Sequence, residues 1–101
     1  MIKSFQGPFS YDYDTINNWN SSAIGVYYCG VAIPNNLSPF YIGRAVSEGG
    51  IRTRLLQHLG ETKWRDVTDF GFRICDTTAE VESLEASEIK RCQPKYNTHG
   101  K

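Results

Sequence analysis

Long apolar runs are missing from this chain of 101 residues: no stretch approaches the roughly 18 apolar residues of a membrane-crossing helix. That excludes an ordinary helical membrane protein. Cysteine is scarce as well. Cys29, Cys75 and Cys92 are far apart, cannot all pair, and form no Cys-x-x-Cys motif, which excludes a disulfide framework and argues against thiolate metal or redox chemistry. They read as reduced thiols on regular elements. The opening residues, Met1-Ile2-Lys3-Ser4-Phe5-Gln6-Gly7-Pro8, lack the apolar core and small-residue cleavage site of a secretory leader, so the expected location is the cytoplasm. Internal repeats, low-complexity runs and linkers are absent too, and the length allows one small domain rather than two.

Net charge is also lacking: 11 Lys and Arg face 11 Asp and Glu. This argues mildly against a nucleic-acid partner, because phosphate binding draws on an excess of cations. The distribution along the chain softens the objection. Residues 41–65 carry Arg44, Arg52, Arg54, Lys63 and Arg65 against Glu48 and Glu61, and residues 89–101 carry Lys90, Arg91, Lys95 and Lys101 with no acid. Residues 66–88 hold seven acids and only Arg73. One basic and one acidic face are therefore expected.

What the chain does have is enough apolar and aromatic residues, 40% and 13%, to build a core. Residues 1–23 are rich in aromatics, Asn and Asp; they read as an N-terminal extension with a capped helical turn around Asp14–Trp19, packed on the domain by Phe5, Phe9, Tyr11, Tyr13 and Trp19. Residues 24–33 are β-branched and aromatic and predict a strand. Pro34 to Pro39 turns the chain, and residues 40–44 predict a second strand, antiparallel to the first. Ile51, Leu55 and Leu59 give a helix its apolar stripe up to Gly60, with Arg54 and His58 one turn apart beside it. Phe70, Phe72 and Ile74 alternate as in a third strand. Asp76 or Thr77 caps a last helix from about Thr78 to Cys92, which Pro94 stops. The tail from Lys95 onward is expected to pack beside the sheet.

On that last helix, Val81, Leu84, Ile89 and Cys92 mark the inward stripe, and Glu85 projects among them. An uncompensated charge there costs several kcal/mol, on the order of what burial of an ion takes, so Glu85 calls for a metal ion or a guanidinium. Glu88 falls near the same stripe. Each candidate has an ordinary reading: Tyr27 and Tyr41 as sheet residues, His58 as a helix-surface residue, Glu85 as the partner of Arg54.

Gly25-Val26-Tyr27, then Tyr41-Ile42-Gly43, then Arg54 and His58, then Glu85, then Asn97, taken in this order, resemble the GIY-YIG nuclease superfamily. The resemblance covers residues 24–97. It implies an α+β fold, a three-stranded antiparallel sheet flanked by helices in the order β-β-α-β-α, with residues 24–101 as the catalytic domain and 1–23 as the extension. Gly25-Val26-Tyr27 stands for the first family tripeptide with Val in place of Ile, and Tyr41-Ile42-Gly43 matches the second unchanged. Arg52 competes with Arg54 for the family arginine, and Glu82 or Glu88 with Glu85 for the glutamate; spacing and the preceding leucines favour Arg54 and Glu85.

The resemblance implies a metal-dependent endonuclease that hydrolyses DNA phosphodiester bonds. Glu85 would hold Mg²⁺ or Mn²⁺, hard cations suited to a carboxylate, waters and phosphate oxygens. Arg54 would bind the scissile phosphate with its planar, permanently charged fork. Tyr27, assisted by Tyr41, or alternatively His58, would orient or deprotonate the attacking water. A free tyrosine titrates near about 10, so Tyr27 needs a neighbouring positive charge to act as a base, whereas a histidine is better matched. Gly43, Arg44, Arg52 and Asn97 are the expected substrate contacts. With no room for a second domain, sequence specificity is expected to be low, or to come from a partner protein or a second copy of the chain. The alternative is a non-catalytic nucleic-acid-binding or assembly module that keeps the nuclease fold.

Overall fold

A computed structural model of the chain describes residues 1–61 and 64–98. Lys63 of the basic stretch and residues 99–101 of the tail lie outside the described residues. The elements run in the order β1 (Gln6–Ser10), α1 (Tyr13–Asn17), β2 (Gly25–Ile33), β3 (Asn36–Ala45), α2 (Gly50–Glu61), β4 (Asp69–Ile74), α3 (Thr78–Cys92) and α4 (Lys95–Thr98). The fold is α+β, built on one antiparallel sheet with strand order β1-β4-β2-β3.

The sheet has four strands, where the sequence predicts three. The additional strand comes from the first 23 residues: β1 pairs with β4, setting Gln6 opposite Phe72 and Ser10 opposite Asp69. Gly7 and Pro8 hide it from a propensity reading, since both residues are depleted in strands. A sheet edge tolerates proline, and Phe9 anchors this edge by packing on Phe70 and Phe72 at centroid distances of 5.6 and 5.7 Å. Helix α1 follows at once, capped by Asp12, whose carboxylate accepts from Thr15 N at 2.8 Å. Its Ile16 is fully buried.

The β2–β3 connection is tighter than the two prolines suggest. Ile33 pairs with Asn36, so only Pro34 and Asn35 form the turn, with Asn35 in the left-handed region at φ 63°. Pro39 does not end the strand. It sits at the register shift after Cys29 on the edge strand β3, where its missing N–H costs no ladder bond.

Alternation along β2 divides the core between the two faces of the sheet. Tyr27 and Cys29 join Ile16, Ala45, Ile51, Leu55, Val67, Phe70 and Phe72 on the face covered by α1 and α2. Val26 and Tyr28 join Leu37, Ile42, Cys75, Val81 and Leu84 on the face covered by α3. All three cysteines are free, Cys29 and Cys75 buried and Cys92 partly so. Helix α3 starts at Thr77, whose hydroxyl accepts from Glu80 N while Glu80 accepts from Asp76 N, a reciprocal arrangement that satisfies two otherwise orphaned donors. It ends at Gln93, left-handed at φ 49°, followed by Pro94. Among the described residues, no helix is long and apolar enough to cross a membrane.

Candidate functional site

Both tripeptides lie across from one another in the β2–β3 hairpin, where Tyr27 pairs with Gly43 and Cys29 with Tyr41. Gly43 is required by Tyr27. A β-carbon at position 43 would stand 2.5 Å from the Tyr27 ring carbon that bears the hydroxyl and 2.5 Å from the hydroxyl itself, so the missing side chain is the space the phenol occupies. Gly25 has a similar cause: a β-carbon there would meet the Arg73 carbonyl of the neighbouring strand at 2.1 Å. Both glycines follow from close approach rather than from contact with a ligand.

Tyr27 is completely buried, and its Oη lies 2.8 Å from Nε2 of His58. His58 is itself only 3% exposed. Helix geometry accounts for this. At 100° per residue, position 58 points about 20° from Ile51, whereas Leu59 swings about 80° away. Beyond its first residue, Gly50, the buried residues of α2 are accordingly Ile51, Leu55 and His58, with Leu59 only partly buried, so the histidine belongs to the core stripe rather than beside it. Its Nδ1 lies 3.7 Å from Oε1 of Glu61, the last residue of α2.

Tyr41 closes the cluster, with ring centroids 6.1 Å from Tyr27 and 5.8 Å from His58. Trp64 stands over both, 4.9 Å from each of Tyr41 and His58, and stacks on Tyr96 of α4 at 6.1 Å. Nothing in the sequence marks Trp64, which lies between elements and belongs to no periodic pattern.

Arg54 is partly buried on α2, and its charge is felt by both Tyr27 and Tyr41. Its Nη1 donates to Gln57 at 2.6 Å. Arg52 points elsewhere: it donates to the backbone carbonyl of Asn17 at 3.0 Å and to its side chain at 2.7 Å, tying α1 to α2. Between the two arginines, Arg54 is the one beside the tyrosines.

Burial raises the Tyr27 phenol far above its ordinary value, and neighbouring Tyr41 adds to the rise; the Arg54 guanidinium opposes both and is outweighed. Tyr41 is raised as well, again by burial, with Tyr27 and Arg54 acting against it. Expecting a nearby arginine to make Tyr27 a base at neutral pH therefore overlooks desolvation, which is the larger effect when a phenol has no solvent contact.

Glu85 projects from α3 with 21% of its side chain exposed and lies 3.9 Å from Nε of Arg44. Partial burial raises its carboxyl above the usual range, Arg44 acts in the opposite direction, and Glu82 reinforces the rise. Arg44 is half exposed and also reaches Glu82 at 3.8 Å. Lys95 similarly meets Asp66 at 2.6 Å, so at these places basic and acidic segments face one another instead of forming separate faces. As for a metal, no group of three or more His, Cys, Asp or Glu side chains occurs among the described residues. A Mg²⁺ ion that keeps its waters needs only one protein carboxylate; Glu85 is a partly desolvated one, paired in this structure with Arg44 and lying near Glu82.

Asn97 engages the edge of the sheet. Its Oδ1 accepts from Ile42 N at 2.7 Å, and its Nδ2 donates to Ile42 O at 2.8 Å, so one amide side chain mimics a missing strand neighbour between the two residues Tyr41 and Gly43. Tyr96 beside it donates to Asp66 at 2.7 Å.

A second buried polar cluster lies on the opposite face. Glu88 is 8% exposed; it accepts from Tyr28 Oη at 2.8 Å and from Arg91 Nε and Nη2 at 2.8 and 2.9 Å. Position 88 points about 20° from Val81, which places it at the centre of the inward stripe of α3. The guanidinium that a buried carboxylate requires is thus found at Glu88. Comparison of the chain with protein-family models, with curated proteins and with solved structures finds no match.

Proposed function

We propose that the chain is a small metal-dependent endonuclease of the GIY-YIG type, acting on DNA. The observation that carries this reading is the convergence of Tyr27, Tyr41, His58 and Arg54, from two strands and one helix, into one cluster. Glu85 supplies a partly desolvated carboxylate from α3, and its electrostatic influence reaches Tyr41.

Phosphodiester hydrolysis requires a positioned water, neutralisation of charge on the phosphoryl oxygens and a path for a proton. Arg54, whose guanidinium donates to Gln57 and lies within hydrogen-bonding reach of Tyr27, binds the phosphate. Glu85 would hold Mg²⁺ or Mn²⁺, which would supply charge neutralisation there, and Arg44 adds a substrate contact beside it. Tyr27, protonated at neutral pH, donates to His58 Nε2, which leaves the imidazole proton on Nδ1, toward Glu61. A proton leaving Tyr27 consequently has an acceptor already in place at 2.8 Å. Tyr41, partly exposed where Tyr27 is not, is the phenol that meets the water, and Gly43 and Asn97 set the strand that carries it. The isolated chain is expected to cut with low sequence specificity, which a cleavage map on random-sequence DNA would measure.

Complete burial of Tyr27 favours the second reading, a nucleic-acid-binding or assembly module without turnover, in which the Tyr27–His58 bond is only a core contact. Incubating plasmid, single-stranded and branched DNA with the protein and Mg²⁺ or Mn²⁺, alongside Glu85→Ala, separates the two. Cutting by the native chain that is lost in the variant supports the nuclease; no cutting of any substrate, or equal cutting by both, overturns it.

A further inference from the structure

The face of the sheet remote from Tyr27 carries a cavity of about 470 Å³, bounded by the N-terminal segment, the β2–β3 hairpin and the end of α3. That volume lies within the range of roughly 300 to 1,000 Å³ occupied by small-molecule sites. Its polar wall includes Tyr28, Ser38, Glu88, Arg91 and Arg73, and its apolar wall includes Phe5 and Leu37.

The polar wall is internally organised and carries a surplus positive charge. Glu88 is held ionised by Arg91, and both of its oxygens are engaged, by Arg91 and by Tyr28. Its negative charge is therefore matched by Arg91, leaving Arg73 as the excess cation. Arg73 uses Nε to hold the Lys3 carbonyl at 2.9 Å, and its two terminal nitrogens have no partner among the described residues. Nη1 of Arg91 is likewise uncommitted among them, while Nε and Nη2 are fixed on Glu88. Two guanidinium groups, one held rigid by a buried carboxylate, thus present open donors at the rim. Phe5 and Tyr28 meet edge to face at 5.3 Å and 81°, giving the floor an aromatic surface. Guanidinium donors select carboxylate or phosphate oxygens, and the aromatic floor selects a flat apolar body.

We propose that this cavity is a binding site for a small organic anion, a carboxylate or phosphate monoester carried on an aromatic body, with Arg73 and Arg91 holding the anionic group and Phe5 and Tyr28 the ring. The site is independent of the nuclease reading, since it lies away from Tyr27 and His58 and shares no residue with the cluster assigned to cleavage.

Titration of the full chain with phenyl phosphate, with benzoate and with inorganic phosphate, followed by amide and aromatic nuclear magnetic resonance, tests it. Saturable shifts at Tyr28, Arg73 and residues 88–92 with either aromatic anion are expected, and the tighter of the two tells phosphate from carboxylate. Inorganic phosphate should bind about tenfold more weakly, as loss of a buried ring predicts. Arg73→Ala should weaken binding by about tenfold or more, the scale of a lost charge-assisted hydrogen bond. Because Arg73 also secures Lys3, Ser38→Glu provides a second variant that places a like charge on the cavity lining without touching that bond; it too should weaken binding by about tenfold, as an opposing charge at short range does. No saturation up to millimolar concentration, shifts centred on Tyr27 and His58 instead, inorganic phosphate binding as tightly as the aromatic anions, or unchanged affinity in Ser38→Glu would overturn the assignment.

Discussion

Tyr27 combines two properties that pull against each other: it is fully buried, yet its hydroxyl holds a hydrogen bond to an imidazole that is also buried. Tyr27→Phe removes that bond from the interior and should lower stability by about 1–2 kcal/mol, the usual cost of a lost buried hydrogen bond, as read from the shift in denaturant midpoint. If the hydroxyl also handles a proton, cleavage should fall by about a hundredfold or more, the range for loss of a general acid or base, which the stability change alone would not produce in protein that remains folded.

The two inward carboxylates of α3 respond to pH with opposite sign. Glu88 is held below its ordinary value by Arg91, so its stabilising contribution is complete above the unfolded carboxylate value near about 4.3 and fades as the pH falls through the lower folded value. Glu88→Gln should cost about 1–3 kcal/mol at neutral pH, the scale for loss of a charged hydrogen-bond partner, and should flatten the acid limb of a stability-against-pH curve. Glu85 is raised by burial; its ionisation therefore disfavours the folded chain progressively as the pH rises from the unfolded value through the higher folded one. Glu85→Gln should leave stability at neutral pH unchanged within about 0.5 kcal/mol or raise it, while abolishing metal-dependent cleavage. A stabilised, inactive variant would mark a carboxylate kept for chemistry.

At the scale of elements, the edge strand β3 depends on a side chain for a neighbour. Asn97 supplies both a donor and an acceptor to the Ile42 backbone, which blunts an edge that would otherwise expose them. Asn97→Ala should destabilise by about 1–2 kcal/mol for the two hydrogen bonds and accelerate hydrogen exchange at the Ile42 amide more than at Tyr28, its partner inside the sheet. The same logic applies to α1, a helix of five residues too short to persist alone. It stays in place through Ile16 in the core and the grip of Arg52 on Asn17.

For the whole molecule, the first residues matter more than an extension merely lying on a domain would. Strand β1 covers one edge of β4, and Phe9 packs against Phe70 and Phe72. Removing residues 1–11 should lower the melting temperature and promote self-association, because it exposes an unpaired strand edge and two aromatic core residues; size-exclusion chromatography against the full chain would show it. The balanced charge fits the same picture of mutual neutralisation. Arg44 with Glu82 and Glu85, and Lys95 with Asp66, join segments of opposite sign across the fold.

Local pattern alone determined much of this architecture. The β-branched and aromatic content of β2, the alternation of Phe70, Phe72 and Ile74, the cap at Thr77 and the stop at Pro94 are short-range signals, and the corresponding elements form where those signals lie. The place of His58 in the core was legible as well, since a period of 3.6 residues aligns it with Ile51 more closely than Leu59. Tertiary structure alone decided that a Gly-Pro segment becomes an edge strand, that Asn97 grips Ile42, and that Trp64 covers Tyr41 and His58. It also decided which acid is buried most deeply and with what partner: Glu88, held by Arg91 one turn away and by Tyr28 from the sheet. Periodicity reports which way a side chain points along its own element, but desolvation and hydrogen bonding depend on what another element brings to meet it.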